Sequence, residues 1–215
     1  MTARAQTREA RSWRELVAGR RSIRRYESEP VPAETIERLI EAARWAPSAH
    51  NRQPWRFALL DAAAWKERLA RAMGARLMTD RLADGDAASD VEADVARSYT
   101  RITEAPLAIV IALDMAEMDR YPDERRRRAE YLMAVQSTAM ATQNLLLAAH
   151  AEGLGACWMC APLFCPDTVA TAIGLPPAWE PQALVTLGWP ASAGKPARRK
   201  PVGEMLWRPP AAVAD

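Results

Sequence analysis

The sequence predicts a mixed α/β chain in which about four strands are interspersed irregularly among helices. Three observations carry this. PLAIVIALD, residues 106–114, is a short apolar run rich in branched side chains and reads as a buried strand. PAETIERLIEAARWAP places Ile36, Leu39, Ile40 and Ala43 at i, i+3, i+4 and i+7, the period of a helix with one buried face. Residues 124–151 contain neither Gly nor Pro and read as one long helix. At 215 residues, 49% of them hydrophobic, the chain can bury a sizeable core as one large domain or two small ones.

Taken in order, residues 7–19 read as a first helix, with Trp13, Leu16 and Val17 at helical spacing. In the second helix Pro32 can occupy a first-turn position, and Pro47 marks the stop. WRFALL, Trp55 to Leu60, reads as a strand, and residues 62–73 read as a helix. MTDRLADGDAASD, residues 78–90, is the least core-like stretch and is expected to form a mobile surface segment. The long helix carries Ala134, Ala139, Ala141 and Ala148, small residues that let another helix approach, and Gly153 ends it as a C-cap would. GACWMC then reads as a strand, PDTVATAIGL as a short helix between Pro166 and Gly174, and PQALVTLGWP as the last strand. A Pro- and Ala-rich tail, 191–215, contains the basic knot ARRK. A doubly wound dinucleotide fold does not follow, because strands are sparse and the expected first βα turn is missing.

Composition narrows the function. No apolar run approaches the roughly 20 residues that span a bilayer, and MTARAQTREARSWREL has no apolar core of a secretory signal. Cys157, Cys160 and Cys165 are odd in number and close together, which argues for a reducing cytoplasm and against a disulfide framework. Cys157 and Cys160 have redox or zinc spacing, yet residues three apart on a strand face opposite ways. Besides Cys165, only His50 and His150 are available as further Cys or His ligands, so buried apolar thiols and no metal are expected. GLGACW starts like G-x-G-x-x-G, but Trp158 stands where the third glycine belongs, and the motif leaves a helix to enter a strand. Gly155 is instead expected to admit a close backbone approach. Two histidines and no G-x-S-x-G argue against a hydrolase. His50, in the loop PSAHNRQPW, is open to reading as a turn residue or a ligand contact. DERRRRAE, 123–130, reads as a solvated helix face; nucleic-acid binding would want a basic or aromatic stripe on a matching module.

The basic side is unusual in kind. Of 29 Lys and Arg residues only Lys66, Lys195 and Lys200 are lysine, leaving 26 arginines, and the net charge is +2. Four of those arginines crowd into GRRSIRRY, residues 19–26. Guanidinium forks, a serine hydroxyl and backbone N–H groups together make a cradle for phosphate. The knot at 197–201 is a second basic loop that could converge on the same anion.

GRRSIRRY, PVPAETIERLIEAARWAPSAHNRQPWRF, GLGACW, a strand ending LGWP and a basic knot before proline together resemble the FMN-dependent nitroreductase family over residues 12–207. GLGACWMCAPLFCPD is further similar to the flavin domain of the coenzyme F420-biosynthesis protein, here without its ligase domain. The resemblance implies an α+β fold spanning 1–215, a central mixed or antiparallel sheet surrounded by helices, in an intertwined homodimer with FMN at the interface. It implies that Arg20, Arg21, Ser22 and Arg24 hold the phosphate, ribityl chain and ring edge, with Arg199 and Lys200 approaching the phosphate. Pro47, Ser48, Ala49 and Asn51 would come from the partner subunit. Cys160 and Ala161 would present backbone N–H near flavin N5, Met159, Pro162 and Leu163 would line the ring, and Arg101 would lie near the N1/O2 edge. The resemblance also implies a loop over 74–90 that shapes the substrate pocket. The implied activity is ping-pong hydride transfer from NADH or NADPH to a nitroaromatic, quinone or other conjugated acceptor. An F420-pathway reductase acting on a dehydro precursor and a flavin- or nucleotide-binding module without turnover are the alternatives.

Overall fold

The computed structural model describes residues 13–209. Four strands, β1 (Trp55–Leu60), β2 (Leu107–Asp114), β3 (Gly155–Met159) and β4 (Trp179–Gly188), form one sheet in the order β1-β2-β4-β3. Every ladder in it is antiparallel, and a single parallel bridge joins Ser22 to Ala156 at the β3 edge. Among the described residues six helices surround it: α1 (Trp13–Gly19), α2 (Ala33–Arg44), α3 (Ala63–Ala83), α4 (Ala88–Thr103), α5 (Glu124–Ala151) and α6 (Pro166–Ile173). The expected α+β class is therefore the observed one. The part of the first predicted helix that covers residues 7–12 lies outside the described residues.

Strand alternation sorts the core into two layers. Leu107, Ile109, Ile111, Ala183, Val185 and Leu187 point to one face, against Leu39 and Ala43 of α2 and Leu145 and Ala149 of α5. Ala108, Val110 and Leu184 point to the other, against Leu69 and Met73 of α3, Ile102 of α4 and Val169 of α6. β2 is buried along its whole length, which is why PLAIVIALD is a continuous apolar run rather than an alternating one. Each such Leu, Ile or Val contributes about 1.5–3 kcal/mol by leaving water.

The ends of α5 follow their sequence signals. Asp123 caps its N-terminus by accepting a hydrogen bond from Arg126 N at 2.9 Å. At its C-terminus Gly153 takes φ 82° and donates to His150 O at 3.1 Å, while Leu154 N donates to Ala149 O at 2.8 Å. Those two bonds are the paired closure that a left-handed residue makes possible. Arg125 to Arg128 are exposed, as a solvated face requires.

Residues 74–90 correct the sequence reading. They are no loop: α3 continues to Ala83, the turn is only Asp84–Ala87, and α4 follows at once. Gly74 is buried where α3 crosses α4, and a Cβ there would stand 3.0 Å from Val95 Cγ1. The polar residues that disguised the helix are its solvent side. Arg76 pairs with Asp80 one turn on at 2.8 Å, and Arg81 bridges Asp86 and Asp94 to close the hairpin. α4 has its own helical period, with Val91 and Ile102 fully buried.

Candidate functional site

The GRRSIRRY segment leaves α1 and lies along the outer edge of β3. Ile23 N donates to Ala156 O at 3.0 Å, and beyond it Glu27 N donates to Trp189 O and Ala191 N to Arg25 O. Ile23 sits directly over Gly155, where a Cβ would fall 2.7 Å from Ile23 Cβ and Cγ2. This is the close approach expected at Gly155. Gly194 receives the segment from the other side, at φ 76°, with its own Cβ position 2.9 Å from Ile23 Cδ1 and 3.0 Å from Arg21 Cβ.

Tyr26 locks the turn. Its hydroxyl lies 2.6 Å from Ile23 O, 3.0 Å from Thr186 O and 2.9 Å from Thr186 Oγ1. Burial pushes the phenol well above its ordinary range, which the hydrogen bond from Thr186 only partly offsets.

Extended backbone separates the arginines into two sets. Arg20, Ser22 and Arg24 alternate with Arg21 and Ile23. Burial raises the Cys157 thiol, and the positive charges of Arg24, Arg101 and Arg20 act against that rise. Residues 20–24 are bridged to β3 at Ser22–Ala156, and the end of α4 packs through Ile102 on the Met159 side of the same sheet. Met159 shares the Cys157 side of the strand, two residues on. The turn Ala161–Phe164 follows, with Pro162 buried and Cys160, Leu163 and Phe164 exposed. Arg21 goes elsewhere: its Nη1 donates to Ala18 O at 2.6 Å and Arg20 O at 2.8 Å, closing the end of α1.

Arg199 and Lys200 are exposed, and Arg199 Nη1 turns back on Arg198 O at 3.0 Å. They follow Gly194 by five and six residues. Two cavities flank the arginine corner. One, of about 200 Å³, is bordered by Arg20, Arg21, His150 and Ser192. The other, of about 90 Å³, lies between α3, α4 and the Ala161–Phe164 turn, with Met73, Leu77, Ala161 and Phe164 as apolar walls and Arg76 and Asp80 at its margin.

Pro47, Ser48, Ala49 and Asn51 are not in this corner. They lead into β1, at the opposite edge of the sheet. Trp55 is level with Glu180 through Leu113, whereas Ser22 is level with Leu187 through Ala156. Four inter-strand steps and seven residues of rise put the two points on the order of 30 Å apart, at diagonal corners. The loop itself is strained: His50, Asn51 and Gln53 have φ of 50°, 54° and 51°. Asn tolerates that region; for His and Gln it costs about 1–2 kcal/mol each. Ser48 offsets part of this by accepting from Asn51 N at its carbonyl and from Gln53 N at Oγ, both at 3.0 Å. Tyr26 and Arg52 are the residues the sequence reading left without a role, although both stand inside the quoted motifs. Arg52 pairs with Asp119 at 2.6 Å.

Among the described residues, no three His, Cys, Asp or Glu side chains are placed to hold a metal, and no helix is long and apolar enough to cross a membrane.

The fold defines an α+β protein with an arginine-rich segment on the edge of an antiparallel sheet. The nitroreductase family model matches residues 17–189, and the chain belongs to that family. It is 32% identical over 214 residues to an NADH dehydrogenase of Thermus thermophilus, covering 88% of this chain and 92% of that one. It is 30% identical over 188 residues to a 5,6-dimethylbenzimidazole synthase of Rhodospirillum rubrum, covering 81% and 80%. The FMN complex of a nitroreductase candidate from Desulfovibrio desulfuricans superposes with a TM-score of 0.71 at 28% identity, over 94% of this chain and 99% of that one.

Two outcomes follow from this geometry. Gly155→Ala forces Ile23 off β3 and is expected to destabilise the protein by about 1–3 kcal/mol in urea unfolding, while Gly203→Ala, in open space, leaves the midpoint unchanged. Because the native state keeps the Tyr26 proton above about pH 10, where the unfolded chain loses it, stability falls as pH rises through that point. Tyr26→Phe is expected to flatten that fall in unfolding curves taken on either side of it.

Proposed function

We propose that this protein is an FMN-dependent oxidoreductase that takes reducing equivalents from NADH or NADPH and passes them to a nitroaromatic, quinone or other conjugated acceptor. The observation that carries the reading is the Arg- and Ser-bearing segment 20–24 bridged to the outer edge of β3 at Ser22–Ala156, on the strand that leads into the Ala161–Phe164 turn, in a chain of the nitroreductase family. The residues fit the cofactor: fixed cations and the Ser22 hydroxyl suit a phosphate and polyol, and the partly apolar turn next to them suits one face of a flat ring. FMN, when bound, supplies the two-electron chemistry.

The chain supplies placement and charge. Arg20 and Ser22 hold the phosphate and ribityl chain. Arg21 orders the end of α1 from which they project, and its place in the binding set is through its backbone. Arg199 and Lys200 are within about 20 Å of chain from the Gly194 contact, close enough to join the phosphate. Arg24 and Arg101 set a permanent positive potential at the ring edge, which stabilises negative charge there without reorganisation. With FMN bound, the backbone N–H groups of Cys160 and Ala161 would serve N5, and Met159, Pro162 and Leu163 would line the ring. The 90 Å³ cavity beside Ala161 suits the flat apolar end of an acceptor.

A second copy of the chain completes the site. The Pro47–Asn51 loop and the arginine corner occupy diagonal corners of one sheet, so a homodimer is the arrangement that unites them on one cofactor. Trp13, Leu132, Met140, Met205, Leu206 and Trp207 are large apolar side chains 40–81% exposed, the surface such an interface would cover. The proposed compartment is the cytoplasm.

The 30% identity to the Rhodospirillum rubrum enzyme favours one second reading, synthesis of 5,6-dimethylbenzimidazole. Product analysis after aerobic turnover separates the two.

The purified protein is expected to be yellow and to oxidise NADH or NADPH when given a quinone. A colourless protein that takes up no added FMN would sink the assignment, and turnover of a dehydro-F420 precursor without pyridine-nucleotide oxidation would redirect it. Arg20→Ala is expected to weaken FMN binding by about 1.5–3 kcal/mol, the worth of a charge-assisted contact, measured by equilibrium titration. Arg24→Ala is expected to lower the flavin reduction potential more than it changes affinity; an unshifted potential argues against its place at the ring edge.

A further inference from the structure

Glu130 stands apart from the charged run that contains it. Glu124 to Ala129 are exposed, whereas Glu130 is 1% exposed. One carboxylate oxygen, Oε1, accepts a hydrogen bond from Asp119 N at 3.1 Å. The other, Oε2, is buried with no hydrogen-bond partner. Asp119 in turn accepts from Arg52 Nη2 at 2.6 Å, and Arg52 Nε is likewise buried without a partner. Arg52 lies between Asn51 and Gln53, two of the three residues held at positive φ. A line of polar contacts therefore runs from the second turn of α5 to the strained turn of the PSAHNRQ loop.

A second strut lies beside it. Arg56 pairs with Asp114 at 3.1 Å and donates to Gln53 O at 3.1 Å, and Asp114 N donates to Pro54 O at 2.9 Å. Both struts tie the loop to the segment that leaves β2. Only the first reaches the core helix.

We propose that Glu130 is a positioning residue for the 48–53 loop, acting through Asp119 and Arg52. This rests on the reading that the loop completes the flavin site of a second subunit. A buried carboxylate with an unpaired oxygen is a poor source of stability, since an apolar side chain of similar volume would cost less there. What Glu130 does supply is a fixed acceptor for Asp119 N, and through that a fixed origin for the carboxylate that holds Arg52. Left-handed backbone at His50 and Gln53 persists only where surrounding contacts over-determine it. The Arg52–Asp119 pair and the Arg56 bond to Gln53 O are the contacts that reach the strained stretch from outside the loop, and only the first is tied to α5.

The test measures hydrogen exchange over residues 47–54 and FMN affinity in the full-length protein. Three variants are compared: Asp119→Asn, which is half-exposed and keeps the core intact, Glu130→Ala, and Glu130→Gln, which keeps an acceptor for Asp119 N. Asp119→Asn and Glu130→Ala are expected to raise loop exchange with β2 unaffected, and to weaken FMN binding about tenfold. Glu130→Gln is expected to restore both. Unchanged loop exchange in Asp119→Asn overturns the proposal even if Glu130→Ala does not fold. Faster exchange with unaltered FMN affinity overturns the positioning role. Exchange needs no flavin, so a wild-type protein that binds no FMN refutes the proposed function while the exchange data still decide the relay.

Discussion

The site depends on one contact, Ile23 against Gly155. With no side chain at 155, an extended segment can lie flat on the β3 edge, and Ile23 N reaches Ala156 O at 3.0 Å. Once that register is set, strand alternation does the rest: Arg20, Ser22 and Arg24 go to one side and Arg21 to the other. Tyr26 and Gly194 hold the segment from its far end and its back. Four arginines in GRRSIRRY are thus different groups. Arg20 and Arg24 set their positive charge against the buried Cys157 thiol, Arg21 closes a helix, and Arg25 contributes its carbonyl to the strap formed with Ala191.

The sheet order places a second constraint on function. The arginine corner is on one edge and the strained loop before β1 is on the other. The two most specific motifs of the chain are kept apart by the fold that contains them. In the proposed homodimer a second copy would bring the two together, with the strained loop on the surface that meets it. The ion pairs of Arg52 and Arg56 with Asp119 and Asp114 brace that surface from behind.

Legibility in the sequence followed the strength of the hydrophobic pattern. β2 and α2 announce themselves, because a fully buried strand must be apolar throughout and a one-sided helix must repeat every three to four residues. The hairpin of α3 and α4 was hidden because its sequence between 78 and 90 is almost all solvent face. Its helicity rests on Gly74 at the crossing and on Arg81 holding Asp86 and Asp94, contacts between residues that a local reading treats separately. Glu130 was hidden for the opposite reason: it ends a run of exposed charges, and only the fold of residues 114–123 over α5 buries it.

By itself the sequence determined the class of fold, the family and the two motifs, since periodicity, caps and motif order are local properties of the chain. It also determined that Gly155 admits a close approach. Tertiary structure alone decided which residue makes that approach, that the Arg21 guanidinium turns back on the end of α1, and that the PSAHN loop stands at the far corner. Those are questions of which strand lies beside which, and strand order is set by long-range packing of two apolar faces that no local pattern encodes.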